Sequence, residues 1–339
     1  MAQPRWCVEF PWFPDHREFG LEPKTCYSTP VADLLGMLSE SLNTKENPEP
    51  EYQQDSVLAA WGGMSQYVYH KTGCPKLYAP TAIAELLRRS NIGEDIRLGD
   101  LKFPHDVFCV VLERDFEIVP GIPLTAVKMT NLRSRLARSL ANELIDEAVT
   151  EKLGLRNKTP ETTKKILATF ESHFEKMTAR VLVEFDICKG EERKIVRFFM
   201  GLSSSIAELM ARVPGEHDLE EKLVKFAAAI LLRNHCRPET VVPFSIPRSE
   251  RYQHKGNRDS FRIMTYPWKK TVRTGPSDEQ RQALGMLERE TRKVKAHVRG
   301  FVYRTLRDER FKRNPDGTPR IIEIEPCLVH PEEFELEDR

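Results

Sequence analysis

The chain has 339 residues, 40% of them hydrophobic, and a formal net charge of +1. This length and apolar share describe a folded chain of about two domains, and no run approaches the roughly eighteen apolar residues of a membrane span. Seven scattered cysteines, with no Cys-x-x-Cys pair and no Cys/His ligand spacing, argue against a zinc site and for a reducing compartment. With no apolar signal segment after Met1, the expected location is cytoplasmic.

In chain order, the first thirty residues are rich in Pro and aromatics and read as irregular chain or a short edge strand. A helix is predicted from Thr29 or Pro30 to Leu42, and a second from Asp55 to His70 carrying Val57, Leu58, Trp61, Met64 and Val68. Pro80-Thr81 opens a short helix through Leu87, with Thr81 as its expected N-cap. Val107 to Leu112 is an unbroken apolar run, as in a strand covered on both faces; Phe116 to Val119 and Leu124 to Met129 add further strands. Helices are predicted over Leu132 to Leu153, with Leu136, Leu140, Leu144, Ile145 and Val149 inward, and over Pro160 to Thr178. Arg180 to Ile187 and Ile195 to Met200 form a predicted hairpin, followed by helices from Ser204 to Arg212 and Leu219 to Asn234. Pro238 to Pro276, with many cations and little periodicity, reads as a long exposed connection. A charged helix capped at Ser277 then leads into a terminal hairpin.

The small net charge hides a strong asymmetry. Residues 248 to 320 hold twenty Lys and Arg against nine Asp and Glu, whereas the tail from Ile321 holds seven acids and one Arg. Such a basic stretch suits RNA, a ribosomal surface or an acidic protein segment, and also a plain solvated face. Within it, Arg248, Arg251, Lys255, Arg258, Lys269 and Lys270 are the candidate nucleic-acid contacts.

Catalytic signatures are sparse. Neither Gly-x-Gly-x-x-Gly nor a Walker-type loop is present, and Gly201-Leu202-Ser203-Ser204-Ser205 lacks the second glycine of a serine-hydrolase elbow, so Ser203 reads as a turn or capping residue. No cofactor and no metal are expected. His297 and His330 with Glu323 or Glu325 could form an acid–base group, although His and Glu on strands more often make cross-strand polar pairs.

The densest pattern lies at the end. His297 to Arg304 and Ile321 to Pro326, joined through Pro315-Asp316-Gly317, read as opposed strands of one hairpin. Alternation puts His297, Arg299, Phe301 and Tyr303 on one face and Val298, Gly300 and Val302 on the other. With the aliphatic side taken as inward, His297, Arg299, Phe301, Tyr303, Arg304, Glu323 and Glu325 become the candidate partner-binding set. The alternative is a solvated hairpin face with Arg–Glu pairs across it.

These residues resemble those of the type V-A anti-CRISPR family, which lowers production of a single-protein CRISPR effector, and of its phage- and plasmid-encoded relatives. His297-Val298-Arg299 matches the opening of the family's His-Ile/Val-Arg-Arg-Gly-His-Trp-like strand, with Tyr303 and Arg304 further along, and Ile324 to Val329 is similar to its closing strand. Gly300-Phe301-Val302 departs from the Arg-Gly-His core. Upstream and in the same order, Leu77-Tyr78, Phe103 to Val111, Val181 to Asp186, Leu202 to Glu208, Leu223 to Leu232 and Cys236 to Val241 resemble further family segments. The resemblance implies a non-enzymatic adaptor that recognises a short peptide, the nascent chain of a CRISPR effector, and causes loss of its message, with the ribosome or mRNA as neighbouring contacts and no membrane partner. The alternative is an RNA-binding protein or ribonuclease using the basic C-terminal segment and His297.

The expected architecture is α+β: a helical N-terminal region (1–76), a central domain (77–240) whose mixed or antiparallel sheet is flanked by helices, a basic Pro-containing connection (241–276), and a C-terminal helix plus β-hairpin (277–339).

Overall fold

The computed structural model of the chain describes residues 31–32, 50–73, 75–112, 116–148, 168, 180–189, 192–211, 218–243, 261–264, 297–308 and 310–329. Its class is α+β. Among the described residues no helix is long and apolar enough to cross a membrane.

The backbone of the fold is one large sheet. Strand β1 (Lys76–Ala79) is followed by the two-residue β2 (Asn91–Ile92), β3 (Val107–Leu112), β4 (Glu117–Val119), β5 (Ile122–Asn131), β6 (Arg180–Lys189), β7 (Glu192–Gly201), β8 (Val241–Pro243) and β9 (Phe261–Met264). The main sheet runs β7-β6-β5-β3-β1-β9-β8, with β4 paired to β5 and β2 outside it. Its β3-β5-β6-β7 half is antiparallel, while β1 lies parallel to both β3 and β9. The predicted exposed connection is therefore corrected: it supplies β8 near its start and β9 further along, and β9 sits inside the sheet between β1 and β8.

Every residue of β3 is buried because helices cover both faces. On one face Val107, Cys109 and Val111 join Trp61, Met64 and Val68 of α1 (Pro50–Lys71) and Leu140 and Leu144 of α3 (Arg135–Glu147). On the other, Phe108, Val110 and Leu112 join α2 (Thr81–Arg88) and α5 (Asp218–Cys236), whose Phe226 stacks on Phe116 with ring centres 5.4 Å apart. Helix α1 thus belongs to the sheet's own packing. The short α4 (Ile206–Ala211) begins with a capping box in which the Glu208 N–H donates to the Ser205 hydroxyl and the Ser205 N–H to the Glu208 carboxylate.

Three local expectations change. Thr81 is the first helical residue of α2, with Pro80 at the cap position and no side-chain cap bond. Leu136 projects into solvent, and the side chain that starts α3 is the Ser134 hydroxyl, which accepts from the Ala137 N–H at 3.3 Å. Of the predicted helix over Thr29 to Leu42, the described Val31 and Ala32 are helical and buried. The helices predicted at Pro160 to Thr178, apart from the helical Ala168, and at Ser277 onward lie outside the described residues.

Candidate functional site

The terminal pattern folds as an antiparallel ribbon in two steps. β11 (Val302–Leu306) pairs with β12 (Arg320–Ile324), and β10 (His297–Arg299) with β13 (Cys327–Val329). Val302 faces Ile324 and Arg299 faces Cys327, so both steps share one register, interrupted at Gly300-Phe301 and Glu325-Pro326.

The interruption has a steric cause. Gly300 rests on the C-terminal end of α2, so close to the Arg89 and Leu86 backbones that no side chain fits. Beyond it, the chain after α2 pairs with β11 as β2: the Asn91 N–H donates to the Phe301 carbonyl at 2.8 Å and the Gly93 N–H to the Tyr303 carbonyl at 2.9 Å.

The ribbon is covered on both sides at this point: Gly300 and Val302 are buried and Arg299 is exposed, as expected, but the side expected to face outward is buried at Phe301 and Tyr303 too. Phe301 and Tyr303 are fully buried and belong to the main core, whereas Ile324 is 39% exposed. Each aromatic ring brings a large apolar area into that core. Glu323, opposite Tyr303, is drawn in too, with its side chain only 1% exposed.

What makes Glu323 tolerable there is α5. Its Arg233, equally enclosed, donates from Nη1 to Glu323 Oε1 while its guanidinium lies over the Phe301 ring, 4.7 Å from the centre. Arg237, one turn on, approaches Glu323 at 3.7 Å and Glu325 at 3.6 Å. Burial raises the Glu323 carboxyl above its ordinary value, and the Arg233 charge pulls it back. The Tyr303 hydroxyl is enclosed beside this carboxylate, and among the described residues the two complete no well-aligned hydrogen bond; burial first, then the Glu323 charge, pushes the phenol well above its usual range. Cys236, next to Arg233 in space, has its thiol pushed up to about 12, chiefly by burial and then by Glu323. This cluster fastens the ribbon to the body.

Of the candidate partner-binding set, Arg299, Arg304 and Glu325 are exposed, and Phe301, Tyr303 and Glu323 are not. His297 occupies β10 opposite Val329. Of the residues considered for an acid–base group, Glu323 is enclosed against Arg233 and Arg237 while Glu325 is exposed, and His330 lies outside the described residues. So do Arg248, Arg251, Lys255, Arg258, Lys269 and Lys270.

A second charged cluster went unnoticed in the sequence. Beneath α1, Lys128 of β5 and Glu184 of β6 are both fully buried, with Nζ 2.7 Å from Oε2. Lys128 also donates to the Gln66 side-chain oxygen at 2.7 Å, Ser65 donates to Glu184 at 2.9 Å, and Arg197 donates to the other carboxylate oxygen at 3.0 Å. Burial lowers the Lys128 pKa, and Glu184 opposes that shift. Asp186, on the same face, accepts from the Thr125 hydroxyl. Acids alternating with apolar residues in Val181 to Ile187 are the only sequence signal, and they read as a solvent face unless a helix is known to cover it. The adjoining cavity, lined by Trp61, Ser65, Thr130 and Arg138 among others, measures about 10 Å³ and holds one water at most. These charges knit α1 to the sheet; the cavity beside them has no room for a substrate.

The described residues contain no group of three or more His, Cys, Asp or Glu able to hold a metal ion. Comparison with known proteins returned no matching family model, no matching curated protein and no matching solved structure.

Proposed function

We propose that the protein is a non-enzymatic adaptor that recognises its target through the outward arginines of the C-terminal ribbon. The observation that carries this reading is the exposure of Arg299 and Arg304 on a ribbon whose other large residues, Phe301 and Tyr303, are spent on anchoring it. A guanidinium offers a planar fork of donors to a carboxylate or a peptide carbonyl. Holding the strands that carry it in place before the partner arrives reduces the ordering cost of binding. The likeness to the type V-A anti-CRISPR family supplies the target class: a short segment of a CRISPR effector, met as a nascent chain in the cytoplasm, with its message lost as the outcome.

The ribonuclease alternative draws no catalytic group from Glu323, which is committed to two arginines and enclosed. The adaptor reading is tested by recovering translating ribosomes with the tagged protein. Wild type should enrich particular nascent chains and their messages, and an Arg299→Glu/Arg304→Glu variant of unchanged melting temperature should lose that enrichment. Equal enrichment by both proteins refutes the reading.

A further inference from the structure

At the far end of the ribbon, between β11 and β12, the chain forms a tip that the adaptor reading does not use. Residues 306 to 320 hold Arg307, Arg310, Lys312, Arg313 and Arg320 against three acids. Among the described residues the large hydrophobic side chains most open to solvent are Leu136, Phe311 and Ile324, and Phe311, 43% exposed, is the aromatic one. It sits directly between Arg310 and Lys312-Arg313.

The tip is ordered by its own bonds. The Phe311 N–H donates to the Asp308 carbonyl at 3.0 Å, the Asn314 N–H to the Thr318 carbonyl at 3.0 Å, and the Gly317 N–H to the Asn314 carbonyl at 2.9 Å. Gly317 takes φ +80°, where a side chain would be strained. Asp316 accepts from the Thr318 N–H and hydroxyl, and Asp308 is gripped by both arms of Arg310. Arg307 reaches back to Asp95 at 2.8 Å, tying the tip to the body. Two of the three acids are thus turned into loop bonds, while Lys312 and Arg313, next to Phe311 in sequence, and Arg320 at the start of β12 are exposed, Arg313 also donating from Nη1 to the Gly317 carbonyl at 3.3 Å.

We propose that this tip is a binding platform for single-stranded nucleic acid, with Phe311 stacking on a base and Lys312, Arg313 and Arg320 meeting the phosphates. A ring among cations on a pre-ordered loop offers both surfaces that an unpaired strand presents, its base faces and its backbone charge. A duplex has its bases already stacked and leaves the ring without a partner, and an acidic peptide uses the cations alone. The platform is separate from Arg299 and Arg304, so its failure and that of the adaptor reading are distinguishable.

The test is fluorescence anisotropy of the full chain with short labelled oligouridine, oligothymidine and a duplex of equal length, across a salt series. Single strands should bind more tightly than the duplex, and the preferred sugar identifies RNA or DNA as the natural source. Phe311→Ala should weaken binding about fivefold to a hundredfold, the loss of one stacked base. Phe311→Trp should keep binding and have its emission quenched by the oligonucleotide. Lys312→Ala/Arg313→Ala should lower the salt slope by about 1.4, or roughly 0.7 per phosphate contact. The proposal is overturned if Phe311→Ala binds like wild type, if the duplex binds as tightly as the single strands, if polyglutamate competes as well as oligouridine, or if no oligonucleotide binds at low salt.

Discussion

A β-carbon placed on Gly300 would lie 2.6 Å from the carbonyl carbon and oxygen of Arg89, and 2.7 Å from the Leu86 carbonyl oxygen. The obstacle is backbone on the last turn of α2, so it does not yield as a side chain would. Gly300→Ala should therefore push the ribbon off the helix and cost about 1–3 kcal/mol, as overpacking does. Denaturant unfolding measures the loss. Hydrogen exchange should show the Asn91 and Gly93 amides, which bond to β11, losing protection while amides of β3 keep theirs.

The Arg233–Glu323 pair gives a sharper energetic expectation. Removing one buried partner strands the other charge, at about 3–5 kcal/mol. Arg233→Met should fall at the lower end, since Arg237 stays near Glu323. The double variant Arg233→Met/Glu323→Gln should recover much of the loss, because no buried charge is left uncompensated. A double-mutant cycle by chemical denaturation in which the two effects simply add would refute this coupling.

Lys128 and Glu184 predict the same kind of behaviour beneath α1. Lys128→Met leaves Glu184 with Arg197 and Ser65, so the effect should be about 2–4 kcal/mol, milder than for a carboxylate left with no partner. Glu184→Gln should cost more, leaving the fully buried Lys128 without its counter-charge. The order of the two melting temperatures checks the argument.

Cys236 predicts a pH dependence. Its folded thiol titrates at about 12 instead of 9.0, so between those values the unfolded chain loses a proton that the folded chain keeps. The unfolded state then binds fewer protons, and this group's contribution to stability falls as pH rises from about 9 toward about 12; below that window it is fully present. Cys236→Ala should flatten the alkaline limb of the stability curve. Alkylation of native Cys236 should also run well below the rate of a free thiol at the same pH, because the thiolate is the nucleophile.

Much of this fold was legible in residues whose signal is local. Val107 to Leu112 announces a doubly covered strand, and the β6–β7 hairpin and the apolar α5 follow from alternation and helical spacing. β9 was hidden because its four residues, Phe261–Met264, lie in a Pro-rich cationic stretch and pair in parallel with a strand nearly two hundred positions earlier, which no local pattern encodes. For the ribbon, a period of two correctly grouped Phe301 with Tyr303 and placed Val302 inward, but could not say that the Phe301–Tyr303 side is covered as well. That is decided by α5, which brings Arg233 over Phe301 and against Glu323. Lys128 and Glu184 were missed for the complementary reason, that a charged residue at a strand position reads as exposed until its covering helix is known.

The shared register of the two ribbon steps has an evolutionary corollary. Since pairing on both sides of Gly300 is fixed by α2, β2 and α5 and Arg307 holds the start of the tip against Asp95, a change of length confined to the segment between Arg307 and Arg320 leaves the pairing of β11 with β12 in place. The protein carries, in effect, an exchangeable cassette on a fixed handle, and a new tip can be grafted there while the rest of the molecule stays as it is.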